Sequence, residues 1–324
     1  MTLLVLNPPM HLGLVMLDGA FDSGVSALLD LFSTAAALSH RRFSVTRLGA
    51  RSTVRTAQGA RYDVERFTHT RRRFDGVLIP GLNCGSAALV QETLASGAGR
   101  ALVEWVAGLR TPIHAACTGT WVLASSGLLD GHQATTSWWF ADAFHQAFPN
   151  VRLDARQSVV RSGRFTTAGA AFSHLDLGLA LLRTDSPSLA ERVSNHLVTE
   201  SRASQAMYLV EHHARVDDPL VRKFEALVER QLQAPVSLEV LAAQLGTSSR
   251  TLLRKVHAST GQRPLQLVQR LRLRRAVELL RHGGTSLEDI AQQVGYQSAH
   301  TLRLLIRREL SVGVRRLRAT SAGY

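Results

Sequence analysis

Short apolar runs alternate with helical patterns along the first half of the chain. Four continuous apolar runs are typical of strands buried on both faces, and they occupy residues 11–17, 43–49, 75–81 and 111–117. Apolar positions at helical spacing lie between or directly after them, at residues 24–39, 86–107 and 118–127. This alternation predicts a parallel sheet with helices on both faces. Two further apolar stretches around Ser162-Gly163 predict an antiparallel hairpin at residues 159–169.

The pattern changes near residue 190. Residues 189–219 keep a helical spacing but become increasingly polar, and strand patterns stop beyond Asp217. We therefore predict three segments, which are an α/β domain at residues 1–190, a helical linker at 191–216 and an all-α domain at 217–324. A chain of 324 residues is long enough for two hydrophobic cores, which agrees with this division.

The all-α segment contains an internal repeat. Residues 237–246, SLEVLAAQLG, align with residues 286–295, SLEDIAQQVG, at an offset of 49 residues. Each copy begins with a serine suited to cap a helix N-terminus, carries an apolar i, i+4 pair and ends on a glycine. A second helix is predicted shortly after each glycine, at residues 247–260 and 297–310. Two helices joined by a short glycine turn are typical of the helix-turn-helix, whose second helix enters the major groove of DNA.

The second helix of each repeat has an apolar face and a basic face. Its leucine, valine and isoleucine residues face inward by their spacing, whereas its arginines gather on the opposite side. An amphipathic helix also carries charges simply because one face is solvated, but two such helices behind a repeated turn favour DNA contact. The candidate DNA-contacting residues are Ser249, Arg250, Thr251, Arg254, Ser298, His300, Thr301, Arg303 and Arg307.

The formal net charge of +13 indicates a polyanionic partner. Arginine supplies most of the positive charge, since Lys223 and Lys255 are the only lysines. A GC-rich genome would explain the preference for arginine over lysine, but it would not explain the excess of basic over acidic residues. Nucleic acid is therefore the first partner to test, ahead of a membrane surface, and a non-specific nucleic-acid binder stays an alternative.

Cysteine usage and hydropathy indicate a soluble cytoplasmic protein. Cys84 and Cys117 are too few for a disulfide framework or a zinc site. The apolar N-terminal stretch lacks a basic leader and is broken by Pro8-Pro9, and no window of about 20 residues is apolar enough to cross a bilayer. We therefore expect no membrane association, no metal and no cofactor.

Cys117 stands where an apolar strand is expected to give way to a helix, in the sequence HAACTGTW. A residue at such an elbow lies over the carboxyl edge of a parallel sheet, where ligands bind in open α/β folds. The N-terminus of the following helix lowers the pKa of a thiol. Three roles are open for Cys117, namely contact with a bound effector, a structural residue and a catalytic nucleophile. Cys84, after the Pro80-Gly81 turn, and Trp138 are candidates for the same pocket.

Residues from about 218 to 318 resemble the AraC/XylS-type DNA-binding domain. The resemblance rests on Gly261-Gln262-Arg263-Pro264-Leu265 before a linker helix at about 264–282, and on DIAQQVGYQS at residues 289–298. It implies two helix-turn-helix units that read adjacent stretches of double-stranded promoter DNA. The chain departs from the family pattern at Leu304, Ser311 and Val314, which concerns base preference and C-terminal packing.

The first half resembles the ThiJ/PfpI branch of the class I glutamine amidotransferase-like fold, which has a flavodoxin-like parallel sheet. The motifs that carry the resemblance are DGVLIPG at 75–81, CTG at 117–119, ATT at 134–136 and TAG at 167–169. Joined to an AraC-type domain, this is the layout of GlxA-family transcriptional regulators. The resemblance implies a regulator of transcription. We expect a homodimer, because pairing two DNA-binding domains raises their effective concentration on DNA, and RNA polymerase is a further candidate partner. The resemblance also implies a sensor domain for a small-molecule effector, with candidate ligand residues Gly81, Cys84, Cys117, Thr118 and Trp138.

The same resemblance argues against an enzymatic role for Cys117. Protease-like members carry histidine where this chain has Thr118, and members with a reactive cysteine carry an acid where this chain has Gly24. Ser137 stands where GlxA-like proteins often carry another histidine, which leaves His174 as a candidate neighbour of the thiol. We therefore expect no enzymatic activity, and a cysteine-dependent amidase or hydrolase with a DNA-binding appendage is the alternative.

Overall fold

The computed structural model describes residues 9–39, 43–82, 84–199, 205, 218–234, 237–260, 262–310 and 312–319. The chain divides into two compact units, Met1–Gln205 and Ala206–Tyr324. The first unit thus extends beyond the predicted domain limit at residue 190. Most of the predicted linker, together with Gly261 and Ser311, lies outside the described residues, so the limits of the three predicted segments stay predictions.

The first unit is built on a seven-stranded sheet. The strands of this unit are β1 (Met10–Met16), β2 (Phe43–Gly49), β3 (Thr53–Arg55), β4 (Arg61–Asp63), β5 (Glu65–Arg66), β6 (Gly76–Ile79), β7 (Ile113–Ala116), β8 (Gln133–Ala134), β9 (Arg152–Leu153), β10 (Val159–Ser162) and β11 (Phe165–Ala168). The order across the large sheet is β10-β11-β7-β6-β1-β2-β5. All neighbours in it are parallel except β10 and β11. Strands β3 with β4 and β8 with β9 form two separate pairs.

Helices cover both faces of the large sheet. The described helices of this unit are α1 (Asp22–Leu38), α2 (Ala87–Ala95), α3 (Gly97–Ala107), α4 (Gly119–Ser125), α5 (Ala141–Ala147), α6 (Ser173–Asp185) and α7 (Pro187–His196). Because successive side chains of a strand point to opposite faces, β1 contributes to two cores. Leu12 and Leu14 pack in the core formed with α1, α6 and α7, whereas Val15 packs in the core formed with α2 to α5.

The predicted fold class, a parallel α/β sheet covered on both faces, is confirmed, and so is the antiparallel hairpin at residues 159–169. The helical stretch predicted at 86–107 consists of two helices, because α2 ends at Ser96 and α3 begins directly after it. The Ser96 hydroxyl caps α3 by accepting a hydrogen bond from the Gly99 N–H at 3.0 Å. The sequence did not predict β3, β4, β5, β8 or β9, since strands of two or three residues are too short to show a period.

The second unit is helical throughout the part that the structure describes. Its helices are α8 (Pro219–Arg230), α9 (Leu238–Gln244), α10 (Ser249–Thr260), α11 (Pro264–His282), α12 (Leu287–Gln293), α13 (Ala299–Leu310) and α14 (Val314–Ala319). The first half of α11 packs in one apolar core with α8 to α10, and its second half packs in another with α12 to α14. The predicted all-α arrangement of two helix pairs joined by a longer helix is confirmed. Within the described ranges, no helix combines the length and the apolar composition that crossing a membrane requires.

Candidate ligand site and nucleic-acid interface

Cys117 occupies the tight turn between β7 and α4, at the carboxyl edge of the parallel sheet. Its φ of +58° lies in the left-handed region that non-glycine residues seldom adopt, so the surrounding structure must hold it there. The Cys117 N–H donates to the Ala168 carbonyl at 2.9 Å. Gly119 allows α4 to begin against β6, since a Cβ at this position would lie 2.3 Å from the Ile79 carbonyl oxygen. The predicted elbow is therefore present.

The thiol of Cys117 is enclosed. The residue is 5% exposed, and its Sγ lies 2.9 Å from Ser137 Oγ. Burial raises the pKa of the Cys117 thiol, whereas an activated nucleophile needs a lowered pKa. Ser137 stands at one of the two positions, 118 and 137, where proteins of the families that this chain resembles carry a histidine. A hydroxyl group therefore takes the place beside the sulfur that a catalytic base would need.

His174 lies close to the elbow, but both of its ring nitrogens have structural partners. Its Nε2 accepts from the Gly81 N–H at 3.0 Å, so Nδ1 carries the ring hydrogen and donates it to the Ala171 carbonyl. Burial lowers the pKa of His174 to about 4, which keeps the ring neutral at pH 7. A Cβ at Gly24 would lie 2.6 Å from His174 Nε2. The histidine ring thus fills the space that an acidic side chain at position 24 would need.

Two of the predicted ligand residues, Gly81 and Thr118, lie directly beside Cys117. A Cβ at Gly81 would come within 2.9 Å of Cys117 Cβ, so a side chain at position 81 has no room. Thr118 Oγ1 donates to the Leu82 carbonyl at 2.8 Å and accepts from the Leu82 N–H at 2.6 Å. These contacts join the ends of β6 and β7 into one polar turn around the thiol.

The other two predicted ligand residues are partly accessible. Cys84 is half-buried, and burial raises the pKa of its thiol. The ring of Trp138 is half-buried and meets the exposed Trp139 edge-on, with 5.2 Å between ring centroids. Both residues therefore retain surface that a ligand can reach.

An open cavity of about 690 Å³ lies beside the loops that follow β1 and β2, at the same edge of the sheet. Three arginines, Arg51, Arg55 and Arg61, line it together with Asp18 and Thr56. The Asp18 carboxylate accepts a hydrogen bond from the backbone N–H of Arg55 at 2.9 Å and lies 3.8 Å from the guanidinium of Arg51. Three positive groups against one carboxylate favour an anionic occupant.

Gln205, which no pattern in the sequence distinguished, is buried against the loop that precedes Ser137. Its carboxamide forms hydrogen bonds with Thr135, Thr136 and Ala170. The residue belongs to the polar stretch that was predicted as a linker. Periodicity and motif spacing could not mark it, because its burial depends on contacts with residues far away in the sequence.

The first helix of each helix-turn-helix, α9 or α12, begins and ends in the predicted way. Ser237 and Ser286 cap these helices, each hydroxyl accepting from the N–H three residues ahead at 3.5 and 3.1 Å respectively. Gly246 and Gly295 follow them with φ values of +65° and +81°. Positive φ explains why glycine stands at both turns.

The second helices, α10 and α13, are capped by a serine and threonine pair. Ser248 and Ser298 each accept from the N–H three residues ahead at 3.2 Å, and their hydroxyls lie 3.0 Å from those of Thr251 and Thr301. Ser248, which is not among the predicted DNA-contacting residues, is therefore the structural counterpart of Ser298. The repeat offset grows from 49 to 50 residues across the turn, because the second turn is one residue longer.

The predicted DNA-contacting residues lie on the outer faces of α10 and α13. Ser249 and Thr251 are half-buried near the start of α10, and the exposed residues are Arg250, Arg254, Ser298, His300, Thr301, Arg303 and Arg307. The opposite faces are buried through Leu252, Val256, Leu302, Ile306 and Leu310. Two leucines, Leu253 and Leu304, are also exposed among the basic side chains, at 45% and 55%. Each second helix thus presents a basic surface that includes one apolar residue.

The two helix pairs are packed against each other as well as joined by α11. Arg272 of α11 donates to the Ala234 carbonyl at 2.8 Å, and its guanidinium lies 5.7 Å from the ring centre of Tyr296. The turn glycine Gly295 sits so close that a Cβ there would meet the Leu232 carbonyl oxygen at 2.3 Å. The segment between α8 and α9 is therefore in direct contact with α11 and with the second turn.

The protein combines two kinds of unit, an α/β unit with a cysteine at a strand-to-helix elbow and a helical unit with two helix-turn-helix motifs. Residues 14–184 match the DJ-1/PfpI family, and residues 241–320 match a family of helix-turn-helix domains. The first of these matches covers more than half of the chain. The protein is a member of the DJ-1/PfpI family that carries a C-terminal helix-turn-helix domain.

Curated proteins are similar to somewhat more than half of this chain. The HTH-type transcriptional regulator GbdR of Pseudomonas aeruginosa is 30% identical over 188 residues, which is 57% of this chain and 51% of GbdR. The HTH-type transcriptional regulator GlxA of Rhizobium meliloti is 30% identical over 189 residues, which is 56% of this chain and 57% of GlxA. The chain thus spans about half the length of the curated relatives it matches. The predicted DJ-1/PfpI-type domain followed by an AraC-type helix-turn-helix domain is confirmed.

A solved structure supports the fold of the first unit. It is that of a protein from Vibrio parahaemolyticus assigned to the transcriptional regulators, and it aligns over 59% of this chain and 100% of its own length. The TM-score is 0.50 and the sequence identity is 18%. At this identity the similarity concerns the fold alone.

Proposed function

We propose that this protein is a sequence-specific DNA-binding transcriptional regulator whose α/β unit responds to a small metabolite bound near Cys117. The observation that supports it most is the pair of helix-turn-helix units, with matching turns and exposed basic faces, packed on one continuous helix. The relatives GbdR and GlxA are both named as transcriptional regulators, which supports the same conclusion.

Two second helices held on one body suit successive major grooves on one side of the duplex. One turn of B-DNA separates such grooves by roughly 34 Å. Arg250 and Arg254 would contact one half of the binding site, and His300, Arg303 and Arg307 the other half. Ser249 and Thr251, with Ser298 and Thr301, lie at the helix N-termini, where backbone phosphates bind favourably.

Footprinting tests this assignment. Sites are first selected from genomic DNA with the full chain, and protection is then measured with Arg250→Ala, Arg303→Ala and the control Arg222→Ala on α8. Each of the first two variants should lose affinity in one half of the site only, by about 1–3 kcal/mol if the arginine contacts a base. Equal weakening of both halves by each variant would contradict the proposal.

A non-specific nucleic-acid binder would behave differently. When binding is driven by charge alone, the affinity falls steeply as the salt concentration rises and does not depend on the DNA sequence. Competition between a selected site and random DNA at several salt concentrations separates the two functions. A regulator should keep its preference for the selected site as the salt rises, whereas equal affinities throughout would rule out sequence-specific recognition.

The effector site is proposed at the carboxyl edge of the large sheet. Cys117, Thr118 and Gly81 form its closed inner part, and Cys84 and Trp138 retain accessible surface nearby. The arginine-lined cavity on the same edge has room for a small anionic metabolite. Ligands found by thermal-shift screening should bind more weakly to Cys117→Ser or Arg55→Ala, and retained affinity in both variants would place the effector elsewhere.

A cysteine-dependent hydrolase is the second candidate, but the geometry of the elbow gives it little support. Burial raises the pKa of Cys117, and Ser137 and His174 supply no free base. Alkylation of Cys117 by iodoacetamide should therefore be slow at pH 7 and rise only well above the free-cysteine pKa of about 8.5. Fast alkylation near pH 6, together with ester or amide turnover that Cys117→Ser abolishes, would favour the enzyme.

We also infer that the regulator acts as a homodimer in the cytoplasm and that RNA polymerase is a further partner. Linking two DNA-binding units raises the effective concentration of the second after the first has bound. Sedimentation velocity of the full chain, alone and with DNA carrying one or two sites, measures this. A chain that stays monomeric on two-site DNA would contradict the dimer.

A further inference from the structure

The side chain of Gln205 is held in a closed polar cradle of the first unit. Gln205 is 2% exposed, and its backbone N–H donates to the Arg156 carbonyl at 2.9 Å. Its Nε2 donates to the carbonyls of Thr136 and Ala155, both at 2.9 Å, and lies 3.2 Å from Thr135 Oγ1. All polar atoms of the carboxamide are engaged, because Oε1 accepts from the Ala170 N–H at 3.0 Å.

Gly169 forms the wall of this cradle. A Cβ at position 169 would lie 2.2 Å from Gln205 Oε1 and 2.4 Å from its Nε2, so only glycine lets the amide approach. We call the site made by Thr135, Thr136, Ala155, Gly169 and Ala170 the amide cradle. It adjoins the elbow, since the Thr136 hydroxyl donates to the carbonyl of Cys117 at 2.9 Å.

The polar groups of the amide cradle select one chemical class. Thr135 Oγ1 donates its hydrogen to the Gln157 carbonyl at 2.9 Å, so it can only accept from Gln205. Three acceptors therefore face the nitrogen and one backbone donor faces the oxygen. A carboxylate would place an oxygen against three acceptors, and an ammonium would leave the Ala170 N–H without a partner. A primary amide satisfies both sides.

We propose that the amide cradle is a binding subsite for a primary carboxamide, that Gln205 of the chain itself occupies it, and that a metabolite with such a group competes with Gln205. The proposal deepens the proposed function and rests on it where it concerns regulation. Residues 206–217 separate Gln205 from Asp218, the N-cap of α8 in the DNA-binding unit. Release of Gln205 by an effector therefore detaches the last described residue that precedes the DNA-binding unit.

The subsite is tested by removing the Gln205 carboxamide and supplying a free primary amide, acetamide, in its place. Gln205→Ala removes the atoms of an acetamide molecule, so acetamide should bind this variant saturably and raise its Tm, with a Kd on the order of 1–10 mM for so small a ligand. Acetate and methylammonium should have no such effect. Neither wild type nor Gln205→Ala/Gly169→Ala should respond, because the cradle is filled in one and narrowed in the other.

Three results would overturn the subsite. They are the same response to acetamide in all three proteins, no saturable response in a folded Gln205→Ala variant, and a response to methylammonium equal to that to acetamide. Circular dichroism and the unfolding transition show whether the variant is folded.

A second measurement serves if Gln205→Ala does not fold. Gly169→Ala displaces the Gln205 side chain without changing it, and Gly97→Ala, where a Cβ meets open space, is the matched control. Hydrogen exchange of the peptide that contains Gln205 should become at least tenfold faster in Gly169→Ala and stay unchanged in Gly97→Ala. Equal exchange in both variants would show that Gln205 does not occupy the cradle in solution.

Promoter affinity tests the regulatory part separately. The affinity of Gln205→Ala for a selected DNA site should differ from that of wild type by at least threefold, and acetamide should restore it. An unchanged affinity would overturn the coupling, even if acetamide binds. Failure of wild type to prefer any DNA site would instead contradict the proposed function and leave the result on acetamide binding standing.

Discussion

The two helix-turn-helix units have the same backbone design but differ in how their turns are supported. Gly246 in the first turn has nothing within 4 Å of an added Cβ, whereas Gly295 in the second is pressed against Leu232 and Arg272. Both glycines have positive φ. The comparison shows that one glycine is required for conformation alone, and the other for conformation and for close packing.

The outer faces of the second helices differ in a complementary way. At equivalent positions, Leu253 of α10 corresponds to Arg303 of α13, and Arg254 corresponds to Leu304. The attachment of the helices differs too, since Lys255 forms an ion pair with Asp218 while its counterpart Leu305 is buried in the core. A repeated scaffold therefore carries two different outer surfaces.

The largest expected effect is on the free energy of unfolding, when each of the two turn glycines is replaced by alanine. Gly246→Ala should cost about 1–2 kcal/mol of unfolding free energy, because only the left-handed backbone opposes it. Gly295→Ala adds a clash with the Leu232 carbonyl, and steric overpacking costs about a further 1–3 kcal/mol. Urea unfolding of the full chain measures both. Equal losses would mean that the second turn is free to move away from Leu232.

The next largest effect is on base preference, when Leu253 and Arg254 of α10 exchange places. The double variant Leu253→Arg/Arg254→Leu gives α10 the order of residues found in α13. The first half of the selected DNA site should then change its base preference, with about 1–3 kcal/mol lost on the original bases if Arg254 reads one of them. Selection from randomised half-sites measures the change, and the second half should keep its sequence. A first half with the original preference would show that these side chains do not read bases.

The serine caps should behave alike in the two units. Ser248→Ala and Ser298→Ala each remove a hydroxyl that accepts from an N–H at 3.2 Å. Loss of an N-cap typically costs about 1 kcal/mol. Urea unfolding should give similar losses for both, and Ser249→Ala is the control with little effect. A larger loss for Ser249→Ala would contradict the assignment of Ser248 as the cap.

The smallest expected effect comes from the ion pair between Lys255 of α10 and Asp218, the N-cap of α8. The hydrogen bond from Lys255 lowers the pKa of the Asp218 carboxyl, so the pair stabilises the folded protein at neutral pH. This contribution is lost as the pH falls through the lowered pKa. Lys255→Met should reduce the Tm slightly at pH 7 and converge with wild type in acid, with the exposed Lys223→Met as control. A difference that persists in acid would point to packing instead of charge.

Sequence patterns predicted the repeated features because each of them is local. Ser237, Ser286, Gly246 and Gly295 act within one turn of backbone, so spacing identifies their roles. The strand-to-helix elbow at Cys117 was also readable, since an apolar run and a helical pattern meet there. The sequence did not predict that Ser248 caps α10, because the turn differs in length between the two copies and the repeat offset no longer aligns Ser248 with Ser298.

The environment of the thiol was not predictable in the same way. The hydroxyl of Ser137 and the ring of His174 reach the elbow from distant parts of the chain, and the amide of Gln205 binds the loop that precedes Ser137. Whether His174 acts as a base or as a structural acceptor depends on the Gly81 N–H that it meets. No spacing in the sequence encodes such a contact.

The amino-acid sequence alone determined the parallel α/β class of the first unit, the two helix-turn-helix pairs and the basic faces of α10 and α13. Periodicity, capping residues and charge are properties of neighbouring residues, so they survive without a fold. The tertiary structure alone decided that Cys117 is enclosed and that its pKa is raised, that Gly295 is locked against Leu232, and that Gln205 fills a cradle. Each of these depends on burial and on hydrogen-bond partners, which exist only once remote segments have packed together.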